Sequence, residues 1–271
     1  MLALLFFLIP IFAYTQENNF VIVIPSYNNA PFCEANLVSV FNQTYPNYRV
    51  IYIDDASSDE TYIKAEALTQ AYGQQDRVTL IKNDERRLAM ENIYRAVQMC
   101  DDHEIVVLLD GDDWFYDPHV LKALNAYYSN PAVWMTYGSY IVHPGGKKGE
   151  CASPIPYHVI TSNSVRKNSE KKWVLGHLRS FYTGLFKKIK VEDLYYKGKF
   201  LEATYDFAIM IPMLEMAASH ARFIPKILYV YNRLTPINDD KIRAGIQREC
   251  KDYILSLSPY EPLSELFTSA R

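Results

Sequence analysis

The run Ile105-Val106-Val107-Leu108-Leu109 ends abruptly in Asp110-Gly111-Asp112-Asp113-Trp114, three carboxylates around one glycine. An unbroken apolar run with β-branched residues at its start and no helical period reads as a strand buried on both faces, hence as part of a parallel sheet. Ligands of open α/β sheets bind outside the carboxyl ends of the strands, so these acids stand where a ligand is expected. Carboxylates this close repel one another and lower stability unless a cation sits among them, and an all-oxygen site suits Mg²⁺ or Mn²⁺. Gly111 lets the backbone turn sharply between the acids. The bland alternative is an acidic strand-to-helix turn in which Asp117 caps a helix beginning at Pro118.

The chain before that run alternates strand and helix. Phe20 to Ile24 reads as a strand stopped by Pro25, Cys33 to Phe41 is amphipathic, and Tyr48 to Ile53 is a second strand ending at Asp54-Asp55. Asp59 is expected to cap a helix to about Tyr72; Val78 to Ile81 is a third strand, Ala89 to Met99 a helix and Glu104 to Leu109 the fourth strand. The order βαβαβαβ calls for a mostly parallel sheet with right-handed crossovers and helices on both faces. A chain of 271 residues, 49% hydrophobic, can bury such a core as one large α/β domain or as a domain plus subdomain.

Beyond it, Pro144 to Lys172 is rich in glycine, serine, lysine and proline and reads as a long surface excursion. Gly176 to Phe186 and Ala203 to Ala218 are the main helical patterns, separated by the polar stretch Lys187 to Lys199, and Phe223 to Tyr231 reads as a hairpin or strand pair. From Ser256, with Pro259 and Pro262, the periodicity is weak and a loosely attached tail is expected. The division is therefore an apolar N-terminal segment (1–18), a ligand-binding half (19–140), a half that completes the cleft (141–255) and a tail (256–271).

Charge and cysteines narrow the partners. With a net charge of -3 and basic residues not gathered into one stripe, nucleic acid is not expected; Lys147-Lys148, Lys171-Lys172 and Lys187-Lys188 read as solvated faces. Cys33, Cys100, Cys151 and Cys250 form no CxxC pair, which argues against zinc and dictates no disulfide. Met1 to Ala13 is apolar but short for a bilayer, with Ala13 and Thr15 spaced like a cleavage site. It resembles a signal peptide without a basic start, and an anchor touching the membrane or a plain apolar segment fits as well. The location is secretory or membrane-associated in the first two cases and cytoplasmic in the third.

Three strand tips carry polar signatures: Pro25-Ser26-Tyr27-Asn28, Asp54-Asp55-Ala56-Ser57-Ser58-Asp59 and Asp110-Gly111-Asp112-Asp113. Right-handed winding puts them on one edge of one sheet, where they can meet one ligand. Here the chain resembles the family-2 glycosyltransferases, with an IPxYN-like first turn, a DDxSxD-like second turn and a DxD metal motif over about residues 19 to 140. Gly198-Lys199-Phe200, Thr204-Tyr205-Asp206, Pro212 to Ala217, and Tyr229-Val230-Tyr231-Asn232 followed by Asn238-Asp239-Asp240 resemble the acceptor half of one branch. No QxxRW-like segment follows, so the likeness does not extend to processive synthases.

The resemblance implies a single GT-A type Rossmann-like domain and metal-dependent, inverting, non-processive transfer of a sugar from a nucleotide-diphosphate donor. A UDP-sugar is the expected donor and a glycan, lipid or protein hydroxyl the acceptor. It assigns the Mn²⁺ or Mg²⁺ to Asp112 and a ribose hydrogen bond to Asp110, with Asp113 either exchanging roles with Asp112 or bracing the loop; Gly111 joins the donor loop. It gives Asp55 the uracil imide, Pro25 and Tyr27 the base pocket, and Arg86 or Arg87 the base or a phosphate. It makes Asp206 the general base, although the commoner family pair is Glu-Asp where this chain has Tyr205-Asp206, with Glu202 in reserve. His177 and Arg179 are candidates for the diphosphate or the acceptor. Other readings are a nucleotidyltransferase, disfavoured because Pro25-Ser26-Tyr27-Asn28-Asn29 is no basic glycine-rich loop, and an inactive nucleotide-sugar-binding relative.

Overall fold

The computed structural model describes residues 17–236 and 243–267; residues 1–16 and Asn238-Asp239-Asp240 lie outside them. In chain order the elements are β1 (Phe20–Ser26), α1 (Cys33–Phe41), β2 (Tyr48–Asp54), α2 (Thr61–Ala71), β3 (Val78–Lys82), α3 (Leu88–Gln98) and β4 (Ile105–Leu108). Then come β5 (Trp114–Phe115), α4 (Val120–Tyr128), β6 (Met135–His143), β7 (Lys147–Lys148), α5 (Tyr157–Thr161), α6 (Val165–Lys171), β8 (Arg179–Tyr182) and α7 (Thr183–Phe186). The chain closes with β9 (Tyr195–Tyr196), β10 (Lys199–Phe200), α8 (Tyr205–Ala217), β11 (Ala221–Asn232) and α9 (Ala244–Ser256).

The central sheet runs β3-β2-β1-β4-β8-β6-β11-β5, with β7 paired to β6. β3, β2, β1 and β4 are mutually parallel, and so are β6 and β11, whereas β8 is antiparallel to both its neighbours. Period-two alternation divides the apolar residues between two layers. Val21, Val23, Val106 and Leu108 meet α3 and α8, while Phe20, Ile22, Ile105 and Val107 meet α1 and α4. Each such side chain contributes roughly 1.5–3 kcal/mol on burial, and that two-sided burial is why β4, and β1 from Phe20 to Ile24, carry no polar residue. Among the described residues no helix is long and apolar enough to cross a membrane.

Four expectations are corrected. Gly176 to Phe186 is not one helix but strand β8 and the single turn α7. β8 fills the gap between β4 and β6, with Phe181 in one core and Leu178 in the other, so the sheet ladder overrides the local apolar spacing. Phe223 to Tyr231 is not a hairpin: β11 is one strand beside β6, and its register shifts around Pro225 and Lys226 form a bulge where proline's missing N–H is tolerated.

The stretch Pro144 to Lys172 is not wholly a surface loop, because it contains β7, α5 and α6 and buries Val159, Val165 and Arg166. The residues from Ser256 are not loose either. Leu263 N–H donates to Met216 O at 2.9 Å, Tyr260 N–H to Glu215 Oε2 at 3.1 Å, and Leu266 is buried. Charged Arg166 explains both, since its guanidinium forks onto Glu215 at 2.9 Å twice and also donates to Ile254 O, tying α6, α8 and α9 together.

Candidate active site

Because β1, β2 and β4 are parallel neighbours, their polar tips emerge on one edge and line one cleft, which α8 and α9 close from the other side. At one end Asp55 is buried beneath the loop 83–88. Its Oδ1 accepts from Arg87 N–H at 2.8 Å and Asn83 Nδ2 at 2.9 Å, and its Oδ2 accepts from Leu88 N–H at 2.8 Å. A carboxylate offers about four acceptor positions, so one remains for a ligand.

The same loop lays the Arg86 guanidinium on the Tyr27 ring, 3.6 Å from its centroid, with Nε 3.9 Å from Asp55 Oδ2. Arg87 does otherwise. Its side chain points to Glu91, 2.6 Å away, and to Glu85, and does not line the cleft, because the i, i+4 pair on α3 holds it there. Only its backbone N–H reaches the site, through Asp55. Pro25 and Tyr27 line the cleft beside it.

At the middle, Asp110, Gly111, Asp112 and Asp113 line the floor. A Cβ on Gly111 would lie 2.5 Å from Ser26 Oγ and 2.6 Å from Ser26 Cβ, so close approach to β1, not a positive φ, demands glycine there. Asp113 is braced on both oxygens: Tyr229 Oη donates to Oδ2 at 2.5 Å and Asn232 N–H to Oδ1 at 2.7 Å. Asn36 Nδ2 donates to the carbonyls of Asp110 and Asp113, pinning the loop from α1. Burial pushes the Asp113 carboxyl well above the usual range, helped by the charges of Asp112 and Asp110; burial also raises Asp110.

His177 stacks on Tyr229, with centroids 4.4 Å apart, and burial holds its pKa well below the ordinary value of 6.5, so the ring is neutral and keeps a lone pair. Ligating atoms of Asp110, Asp113 and His177 lie within 4.8 Å of one another. A hard divalent cation fits this donor set, and a cation would offset the repulsion among the acids. Asp112 lines the same stretch of the cleft floor.

Across the cleft, the first turn of α8 presents Asp206. Its Oδ2 accepts from Arg179 Nη2 at 3.1 Å and its Oδ1 from Phe207 N–H at 3.0 Å. Arg179 is 4% exposed and fixed by Nε donating to Leu175 O at 3.1 Å, so the carboxylate is held on a buried guanidinium. Glu202 also lines the cleft, paired with Lys199. Sequence reasoning gave no role to Tyr205, whose hydroxyl donates to Asp110 Oδ1 at 2.5 Å, to Tyr229, or to the cleft-lining Arg243 and Gln247 of the α9 entry. Aromatic hydroxyls on apolar elements look like core in a sequence, and nothing marks them until the partner carboxylates are near.

The chain is 28% identical over 148 residues to a UDP-Glc:alpha-D-GlcNAc-diphosphoundecaprenol beta-1,3-glucosyltransferase, WfgD, of Escherichia coli, covering 54% of each chain. It is 30% identical over 121 residues to an uncharacterized glycosyltransferase of Haemophilus influenzae, covering 44% of this chain and 46% of that one. The matches thus span about half the length of these relatives.

Among solved structures, S. aureus TarS 1-349 in complex with UDP-GlcNAc aligns with a TM-score of 0.59 at 16% identity, over 80% of this chain and 59% of that chain. Glucosyl-3-phosphoglycerate synthase from Mycobacterium tuberculosis, in complex with Mn²⁺, UDP and glucosyl-3-phosphoglycerate, aligns at 0.55 and 13% identity, over 88% and 79%. Likeness at this identity speaks for the shared fold, a GT-A type domain. Residues 21–191, more than half of the chain, match the model named "Glycosyl transferase family 2", and the protein belongs to that family.

Proposed function

We propose that the protein transfers one sugar per encounter from a UDP-sugar to a hydroxyl acceptor, with a divalent cation and with inversion at the anomeric carbon. The observation that carries this reading is the opposition, across one cleft, of the acids Asp110 and Asp112 on the β4 tip and the carboxylate Asp206 on α8. A nucleotide-binding module needs the first set; a carboxylate facing it across the cleft suits a general base.

In this reading the uracil lies against Tyr27 and Arg86, with its imide N–H on the remaining acceptor position of Asp55. The donors of WfgD and of the TarS complex are likewise UDP-sugars. Asp110 receives a ribose hydroxyl. A cation held by Asp112, with Asp110 and His177 beside it, supplies charge neutralisation for the diphosphate and Lewis acidity toward the leaving group. Asp206 takes the proton of the acceptor hydroxyl while that oxygen bonds to the anomeric carbon opposite the departing diphosphate, and one displacement inverts the centre. Arg179 orients the base by holding Oδ2, while Phe207 N–H holds Oδ1.

A panel of UDP- and GDP-sugars, each with Mn²⁺ or with a chelator, tests the reading by thermal shift. A ligand that binds only the folded state raises the midpoint. UDP-sugars are expected to do so only with the metal. Stabilisation by GDP-sugars alone removes the assignment of Asp55, and no stabilisation by any nucleotide sugar removes the function.

A further inference from the structure

We infer that Tyr205 is a positioning residue that couples donor loading to the acceptor side of the cleft by bridging it when no donor is bound. This rests on the donor reading above and concerns an order of events which that reading leaves open.

The Tyr205 hydroxyl donates to Asp110 Oδ1 at 2.5 Å, joining the tip of β4 to the first turn of α8, 95 residues apart in the chain. Asp110 is the carboxylate given to the ribose, next to the cation site. An oxygen that accepts from Tyr205 meets a competitor when a ribose hydroxyl arrives, and an O–H proton aimed at it also repels a cation. A donor hydroxyl or a cation seated at Oδ1 itself, the oxygen the phenol occupies, releases the phenol.

The displaced group is adjacent to the base. Asp206 follows Tyr205 directly, and both enter α8 through Thr204, whose φ of 56° is left-handed and so fixes the elbow from which the two side chains project. Both side chains line the same cleft as Glu202 and Arg243. The bridge ties the acid loop to the turn that carries Asp206, on the side of the cleft where the donor reading puts the acceptor hydroxyl, and its release frees that side. An acid at position 205 could not act this way while ionised, because it would only repel Asp110, whereas a phenol donates. The device thus follows from this chain's tyrosine and favours donor before acceptor.

Tyr205→Phe keeps the ring and removes only the donor. Calorimetric titration with UDP and Mn²⁺ is expected to give a Kd about tenfold tighter in the variant, the scale of one hydrogen bond to a charged group, with a lower thermal midpoint for the ligand-free variant, since the bond it loses is made only in that state. A tyrosine that merely braces Asp110 for the donor gives the opposite sign. A second measurement uses the unmodified protein: UDP with Mn²⁺ should speed amide hydrogen exchange across residues 203–208 as the bridge is released. Equal or weaker UDP affinity in folded Tyr205→Phe, or exchange in that segment that is unchanged or slower, overturns the inference alone. Absence of any nucleotide binding to the wild-type protein overturns the donor reading and this inference together.

Discussion

Asp112 and Asp113 are neighbours of the same type with different duties. Asp113 accepts from Tyr229 and Asn232 and anchors the loop to β11, whereas Asp112 lines the cleft and is the proposed metal ligand. Asp112→Asn is expected to abolish Mn²⁺-dependent UDP binding in calorimetry while leaving the unfolding midpoint in place. Persisting metal-dependent binding would move the metal to Asp110 and His177. Asp206→Asn should reduce turnover about 10²-fold or more, as when general-base assistance is lost, with UDP affinity little changed. Near wild-type turnover in that variant would transfer the base role to Glu202, the other carboxylate lining the cleft.

Elements matter through the angles at which they meet. The β4 tip passes so close to β1 that Gly111 has Ser26 atoms where a side chain would begin. Gly111→Ala should cost about 1–3 kcal/mol, the usual range for overpacking, and should also weaken UDP binding because Asp110 and Asp112 flank the displaced residue. Urea denaturation and calorimetry on one sample check both. A variant that loses neither would mean that Ser26 gives way freely. The loop 83–88 is a second such junction: Asp55 draws in three N–H groups from it, so the residue expected to read a base also shapes the loop that carries Arg86.

At the scale of the molecule, the acceptor side is held in place by Arg166. One buried guanidinium satisfies Glu215 on α8 and a carbonyl at the end of α9, and Glu215 in turn accepts from Tyr260 of the closing segment. Burial raises the Glu215 pKa, and the Arg166 charge works against that rise. Arg166→Met is expected to cost about 3–5 kcal/mol, the penalty for leaving one charge of a buried pair alone, and Arg166→Met with Glu215→Leu to recover much of it. Urea unfolding of the three proteins measures the cycle; a double variant as unstable as the single one would mean that the pair contributes packing rather than compensating charge.

The donor half was legible because its signals are local. Four short, mostly unbroken apolar strands, helices between them and polar tips at their ends call for a parallel sheet, and a parallel sheet puts Pro25, Asp55 and Asp110 on one edge whatever follows. The outward turn of Arg87 and the inward turn of Arg86 were not legible, since they depend on Glu91 one helical turn along α3 and on the Tyr27 ring in the loop after β1. In the other half, β8 and the bulged β11 are strands because β4 and β6 present unpaired ladders to them, a partner supplied from more than 70 residues away in the case of β4. The joining of Tyr205 to Asp110, of Tyr229 to Asp113 and of Arg179 to Asp206 has the same origin. Sequence determines what each segment can bury; which hydroxyl meets which carboxylate is decided only when the sheet closes, because burial leaves each polar group to find the nearest partner in space.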